Sequence, residues 1–158
     1  MKIKMNNTKP TDTLYENAPL HKAVSILISK HMAALPVISE QGLFVGVIGV
    51  NGLLDMLLPQ GVRTALAENA EDVPEISARD SSIEELRRKL TLLSDTTVGK
   101  LTKRNVPVIY PDSTVVEVML LLLRQEDEVA MIDRESHKFI CMVSALDLLH
   151  TLNDGLGK

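Results

Sequence analysis

Apolar residues recur at helical spacing from Leu20 onward. Leu20, Ala23, Val24, Leu27 and Ile28 share one face, which predicts a core-seeking helix ending near Met32. Pro36 disfavours helical backbone at Leu35. The β-branched runs 35–38 and 43–48 then form two strands of a hairpin, turned by Ser39-Glu40-Gln41-Gly42. Leu53, Leu54, Met56, Leu57 and Leu58 predict a second helix, stopped by Pro59 and Gly61. Residues 1 to about 12 are polar, apart from whatever portion docks as a first strand.

The same order returns later in the chain. Val129-Ala130-Met131-Ile132 and Ile140-Cys141-Met142-Val143 repeat the hairpin strands, and Leu148 and Leu149 lie 95 positions after Leu53 and Leu54. Thr114-Val115-Val116-Glu117-Val118-Met119 falls opposite Pro19-Leu20-His21-Lys22-Ala23-Val24. The second copy opens at 98–101 and continues through a strand at 106–110. A helix follows, capped by Asp112 or Ser113 and striped by Val115, Val118, Met119 and Leu122. Strands at 128–132 and 139–143 lead to a last helix from Ser144 to about Leu152. Each repeat is therefore β-α-β-β-α. Its crossover should be right-handed, with both helices on one sheet face.

The fold class expected is α/β (α+β): two such repeats about a pseudo-twofold axis, over residues 10–60 and 97–153, with a helical insert at 61–96. A ligand would sit in the cleft between the repeats. In the insert, Ser81 or Ser82 can cap a helix whose first turn holds Glu84 and Glu85, with Leu86, Leu90 and Leu93 on one side and Arg87, Arg88 and Lys89 solvated.

Composition narrows the function classes. At 158 residues the chain can bury a sizeable core, whereas repeats of roughly 50 residues would each be marginal alone, so they fold against each other. A net charge of −4 gives no basic excess to attract phosphate backbones, and with no Trp, two Phe and two Tyr there is no stacking platform; nucleic acid is not the expected partner. Cys141 is the only cysteine and lies in an apolar run, which predicts a buried thiol in a reducing compartment. Asn6, Asn7, Thr8 and Lys9 stand where a signal peptide needs apolar residues, and no apolar run approaches the ~20 residues of a membrane span. A soluble, cytoplasmic protein is expected.

Enzymatic constellations are not apparent. His21, His31, His137 and His150 are dispersed, and neither a phosphate-binding Gly-rich loop with Lys nor a G-x-S-x-G elbow occurs. No catalytic residue, metal or cofactor is assigned. At the last helix, Ser144 can serve as N-cap with Asp147 as the acidic third residue of a capping-box-like start.

The repeated order, together with Pro111-Asp112-Ser113-Thr114-Val115 and Met142-Val143-Ser144-Ala145-Leu146-Asp147-Leu148-Leu149, resembles the cystathionine-β-synthase (CBS) domain; the tandem pair resembles a Bateman module. The resemblance implies a stand-alone regulatory module that dimerises and binds an adenosine-containing ligand: AMP, ADP, ATP or S-adenosylmethionine. It implies that Ser144 and Asp147 face this ligand. An ionised Asp can accept from both ribose hydroxyls, and the helix start favours phosphate. It also places Thr102 and Val106 at the pocket mouth, where Val106, Met131 and Met142 would contact the base and Lys103 and Arg104 can meet phosphate. In the first repeat Gly49 and Gly52 replace Ser144 and Asp147, so that cleft is expected to be degenerate. The alternative is a dimerisation scaffold without a ligand. Neither reading identifies the regulated protein target.

Overall fold

Two hairpins carry the architecture. The computed structural model describes residues 12–58, 82–124 and 128–154. In the first repeat β1 (Leu14–Tyr15) runs parallel to β2 (Ala34–Ile38), which pairs antiparallel with β3 (Phe44–Gly49). The helices α1 (Leu20–Ser29) and α2 (Val50–Leu57) complete it. After α3 (Ile83–Leu93) and the short α4 (Val98–Leu101), the second repeat follows the same plan: β4 (Val108–Ile109), α5 (Val115–Arg124), β5 (Glu128–Ile132), β6 (Phe139–Ser144) and α6 (Ala145–Asp154). The chain is thus a mixed α/β fold with two three-stranded sheets, ordered β1-β2-β3 and β4-β5-β6. Of the insert expected at 61–96, residues 61–81 lie outside the described residues, as do the helix stops Pro59 and Gly61.

The duplication extends into the cores. Leu14, Ala23, Ile48 and Leu53 in one cluster have Ile109, Val118, Val143 and Leu148 in the other, each pair 95 positions apart. Both helices of a repeat bury residues in one cluster, so alternate strand positions and one helical stripe suffice to define it. The repeats are not separate, however. Val98, from the segment leading into the second repeat, is fully buried in the first cluster, and the backbone N–H groups of Leu20, His21, Val98 and Gly99 donate to carbonyls across the junction.

The hairpin turns meet on the pseudo-twofold axis. Phe44 N–H donates to His137 O (3.1 Å) and Phe139 N–H to Gly42 O (3.0 Å), a reciprocal pair that the 95-residue offset interchanges. The Phe44 and Phe139 rings stack there with centroids 6.0 Å apart. Gly42 (φ +83°) and His137 (φ +61°) are equivalent positions, both in left-handed backbone. The Asp133 carboxylate accepts from Ser136 N–H and Oγ–H, both at 2.8 Å, and these bonds lower its pKa and hold the second turn.

Local signals are corrected at two places. Helix α1 stops at Ser29, before Met32, because His31 (φ +51°) forms a Schellman motif: Met32 N–H donates to Leu27 O and His31 N–H to Ile28 O. Helix α5 is capped by Thr114, not by Asp112 or Ser113. Thr114 and Glu117 form a reciprocal capping box (3.0 and 3.2 Å), while Ser113 Oγ accepts from Tyr110 N–H and Asp112 pairs with Arg134. In the insert, Ser82 caps α3 through Glu85 N–H (3.2 Å), and Leu90 and Leu93 pack on the first cluster.

Candidate functional site

Between the repeats lies a cleft of about 860 Å³. Its floor includes Ala33 with Glu128, Ala34 with Val129, and Val47 with Met142, each pair 95 positions apart, so the floor straddles the pseudo-twofold axis. One wall is 49–53 of β3 and α2, with Met32 and Met56 beside it. The opposite wall is the leading segment of the second repeat, through Leu101, Lys103, Val106 and Pro107. The lining is largely apolar and rich in Met, which adapts to varied shapes. Lys103, Glu128, His31 and Asn51 supply its polar groups.

The leading segment is seated by glycine. Lys103 and Val47 exchange both backbone hydrogen bonds, at 2.9 and 3.1 Å, across the outer edge of β3. Gly46 lies directly beneath. A Cβ there would run into the Lys103 carbonyl oxygen and come within 2.7 Å of Thr102 Cγ2.

The six residues expected to share one pocket are divided by the structure. Val106 and Met142 line the cleft beside Gly49 and Gly52. Met131 is 2% exposed and belongs to the second core, and Thr102 donates its hydroxyl to Val98 O at 2.7 Å. Ser144 and Asp147 lie at the β6–α6 junction and do not line this cleft. They form a capping box: Ser144 N–H donates to Asp147 Oδ2 (2.9 Å) and Asp147 N–H to Ser144 Oγ (3.0 Å). The second carboxylate oxygen, Oδ1, accepts no hydrogen bond among the described residues. Both residues are half-buried. The counterpart of Val106 at the 95-residue offset is residue 11, which lies outside the described residues. Arg104 donates to Gly99 O (3.0 Å), leaving Lys103 as the cation of the cleft wall.

Met32, Ala33, Ala34 and Met56 line the cleft although the sequence pattern assigns none of them to a site. The repeat offset holds a signal for one further lining residue, Val47, the equivalent of Met142.

Nothing in the described residues builds a metal centre: no group of three or more His, Cys, Asp or Glu side chains is placed to hold one. The four histidines are exposed and dispersed. The Cys141 thiol is buried, and burial, followed by the Asp147 charge, pushes its pKa up to about 11. A maleimide at pH 8 is therefore expected to leave folded protein unlabelled and to label it after unfolding. Mass spectrometry checks this, and uptake by folded protein would contradict a closed second core. Because the thiol is raised above its unfolded value of ~8.5, its contribution to stability is complete below that pH and is lost as pH rises through about 11.

Two three-stranded sheets with paired helices, related by a pseudo-twofold axis with a cleft on it, define a tandem α/β pair. The CBS-domain sequence pattern matches residues 5–59 and 98–154, and the chain belongs to the CBS domain family as a tandem pair. Its fold is that of CBSX2, the Arabidopsis thaliana CBS-pair protein, whose complex with AMP superposes with a TM-score of 0.62 at 18% identity, covering 91% of this chain and 88% of that one. It is also that of the CBS domain pair of a protein crystallised with 5′-methylthioadenosine and S-adenosyl-L-methionine (TM-score 0.60, 20% identity, 98% and 97% covered). A homoserine O-acetyltransferase from Methanococcus vannielii is 21% identical over 145 residues, which are 92% of this chain. The chain spans 23% of that enzyme's length. Among the described residues, no helix is long and apolar enough to cross a membrane.

Proposed function

We propose that this chain is a regulatory ligand-sensing module that binds an adenosine-containing ligand at Ser144 and Asp147 in the second repeat. The observation that carries the reading is the capping box. It holds Asp147 with one oxygen engaged and the other unengaged at a helix start, where a ribose can donate to the carboxylate and a phosphate can approach backbone N–H groups. Val106 and Met142 line the cleft beside Gly49 and Gly52 rather than the Ser144–Asp147 junction, so they are not part of the site proposed here. Thr102 positions the leading segment through Val98, and Met131 supports the floor from the core. The known complexes of similarly folded pairs with AMP and with S-adenosylmethionine support this ligand class. The protein works as a homodimer in the cytoplasm, without metal or catalytic residue, and passes occupancy to a protein target.

Titration calorimetry with AMP, ATP and S-adenosylmethionine is expected to give one site per chain. A ligand at 100 times its Kd should add about 2.7 kcal/mol of stability, seen as a rise in Tm. No binding at millimolar concentration by any of them sinks this reading. The scaffold reading would then hold, and Gly49 and Gly52, which give the open cleft neither hydroxyl nor carboxylate, already favour it for the first repeat.

A further inference from the structure

The open cleft beside Gly49 and Gly52 differs in chemistry from the Ser144–Asp147 junction. Its volume of about 860 Å³ is that of a small-molecule site. Met32, Met56, Val106 and Met142 make its lining apolar, and thioether side chains repack around flexible apolar bodies. Gly49 and Gly52 leave this helix start without the hydroxyl and carboxylate that would read a ribose. The polar groups that remain favour one sign of charge. Lys103 lines one wall and forms no ion pair with any described residue. On the facing wall, α2 begins with no side-chain cap and no acidic residue in its first turn, whereas the start of α6 is closed by the carboxylate of Asp147. Both walls therefore attract an anion. Glu128 on the floor limits that attraction, because a head with more than one negative charge meets it as well as Lys103.

We propose that this cleft binds an apolar monocarboxylate of the medium-chain fatty acid class, at a site separate from the Ser144–Asp147 junction. The hydrocarbon chain lies along the Met-rich floor, where leaving water supplies the affinity. The single carboxylate is held by the Lys103 ammonium or by the free N–H groups at the start of α2. A ribose finds no acceptor there, and a polyphosphate carries more charge than one lysine offsets. The two sites then answer to different molecules, and the cleft site stands whether or not adenosine binds at Asp147.

Calorimetry of the full chain with decanoate, kept below its micelle concentration, tests this, with circular dichroism to confirm that each variant is folded. Native protein should bind one decanoate per chain saturably. Gly52→Asp should weaken it about tenfold or more, because it sets a negative charge at the helix start, and its Cβ meets open space, so the fold is kept. Lys103→Gln should weaken it about two- to fivefold, the scale of one exposed ion pair. Decanoate could instead coat the exposed helices α5 and α6. Leu123→Asp puts the same charge there, at a residue 80% exposed, and should leave the affinity within about twofold. Saturating AMP should also leave it within about twofold, as separate sites require. No saturable binding by native protein, unchanged affinity in Gly52→Asp, a loss in Leu123→Asp, or displacement by AMP would each overturn the proposal. Decanoate binding that follows the expected pattern while AMP fails to bind would support the cleft site and sink only the adenosine reading.

Discussion

Gly46→Ala is expected to lower stability by about 1–3 kcal/mol, the range for forcing a group into a packed interior, and Tm by roughly 3–10 °C. The added carbon meets backbone, the Lys103 carbonyl, so no side-chain rotation relieves it. The strand and the leading segment must part, which strains the two hydrogen bonds between Val47 and Lys103 and moves a wall of the cleft. Gly52 and Gly42 provide the contrast. Gly52 has nothing within 4 Å of its added Cβ and sits inside α2, so Gly52→Ala should be neutral or stabilise by up to about 1 kcal/mol through helix propensity. Gly42 also has open space but a positive φ, and Gly42→Ala should cost about 1 kcal/mol in backbone strain. Denaturant titration of the three variants measures the ranking. An unchanged midpoint for Gly46→Ala would mean that the leading segment is not seated on β3.

What could be seen beforehand follows from the range of the interaction involved. The hairpins and helices come from periodicity and turn residues that act within a few positions, and the duplicated order fixed their pairing. Helix α1 ends sooner than its apolar stripe implies because its stop is a left-handed His31, a residue that carries no stop signal of the kind Gly does. Thr114-Val115-Val116-Glu117 is a capping-box sequence, but Asp112, Ser113 and Thr114 are three adjacent polar candidates for the α5 cap, and it is Thr114 that reaches the helix N–H groups. The site was harder. Which repeat's leading segment lies against which cleft wall depends on a crossing between distant residues, Val47 with Lys103, and no local pattern encodes it. Hence Val106 sits opposite Gly49 and Gly52, while Ser144 and Asp147 occupy the symmetry-related junction.

Asp147→Ala should weaken the adenosine ligand about ten- to a hundredfold, corresponding to charge-assisted hydrogen bonds worth roughly 1.5–3 kcal/mol. The substitution also removes the acceptor of Ser144 N–H, so about 1 kcal/mol of helix-start stability goes with it. Asp147→Asn separates the two effects. Its amide oxygen can still accept from Ser144 N–H, so stability should largely recover, while the loss of charge and of one acceptor leaves ribose binding weak. A 2′-deoxy ligand should lose part of the same energy in the native protein and little more in either variant. The reverse experiment uses the first repeat. A Cβ at Gly52 meets open space and one at Gly49 comes no nearer than 3.4 Å to Ala33 O, so Gly49→Ser/Gly52→Asp fits and recreates the hydroxyl and carboxylate beside the 860 Å³ cleft. Calorimetry should then count two sites per chain where the native protein shows one. Unchanged affinity after Asp147→Ala would show that the carboxylate is only a helix cap. A stoichiometry that stays at one after the double substitution would show that the Ser and Asp side chains do not suffice in the first cleft, which needs a further group from the leading segment.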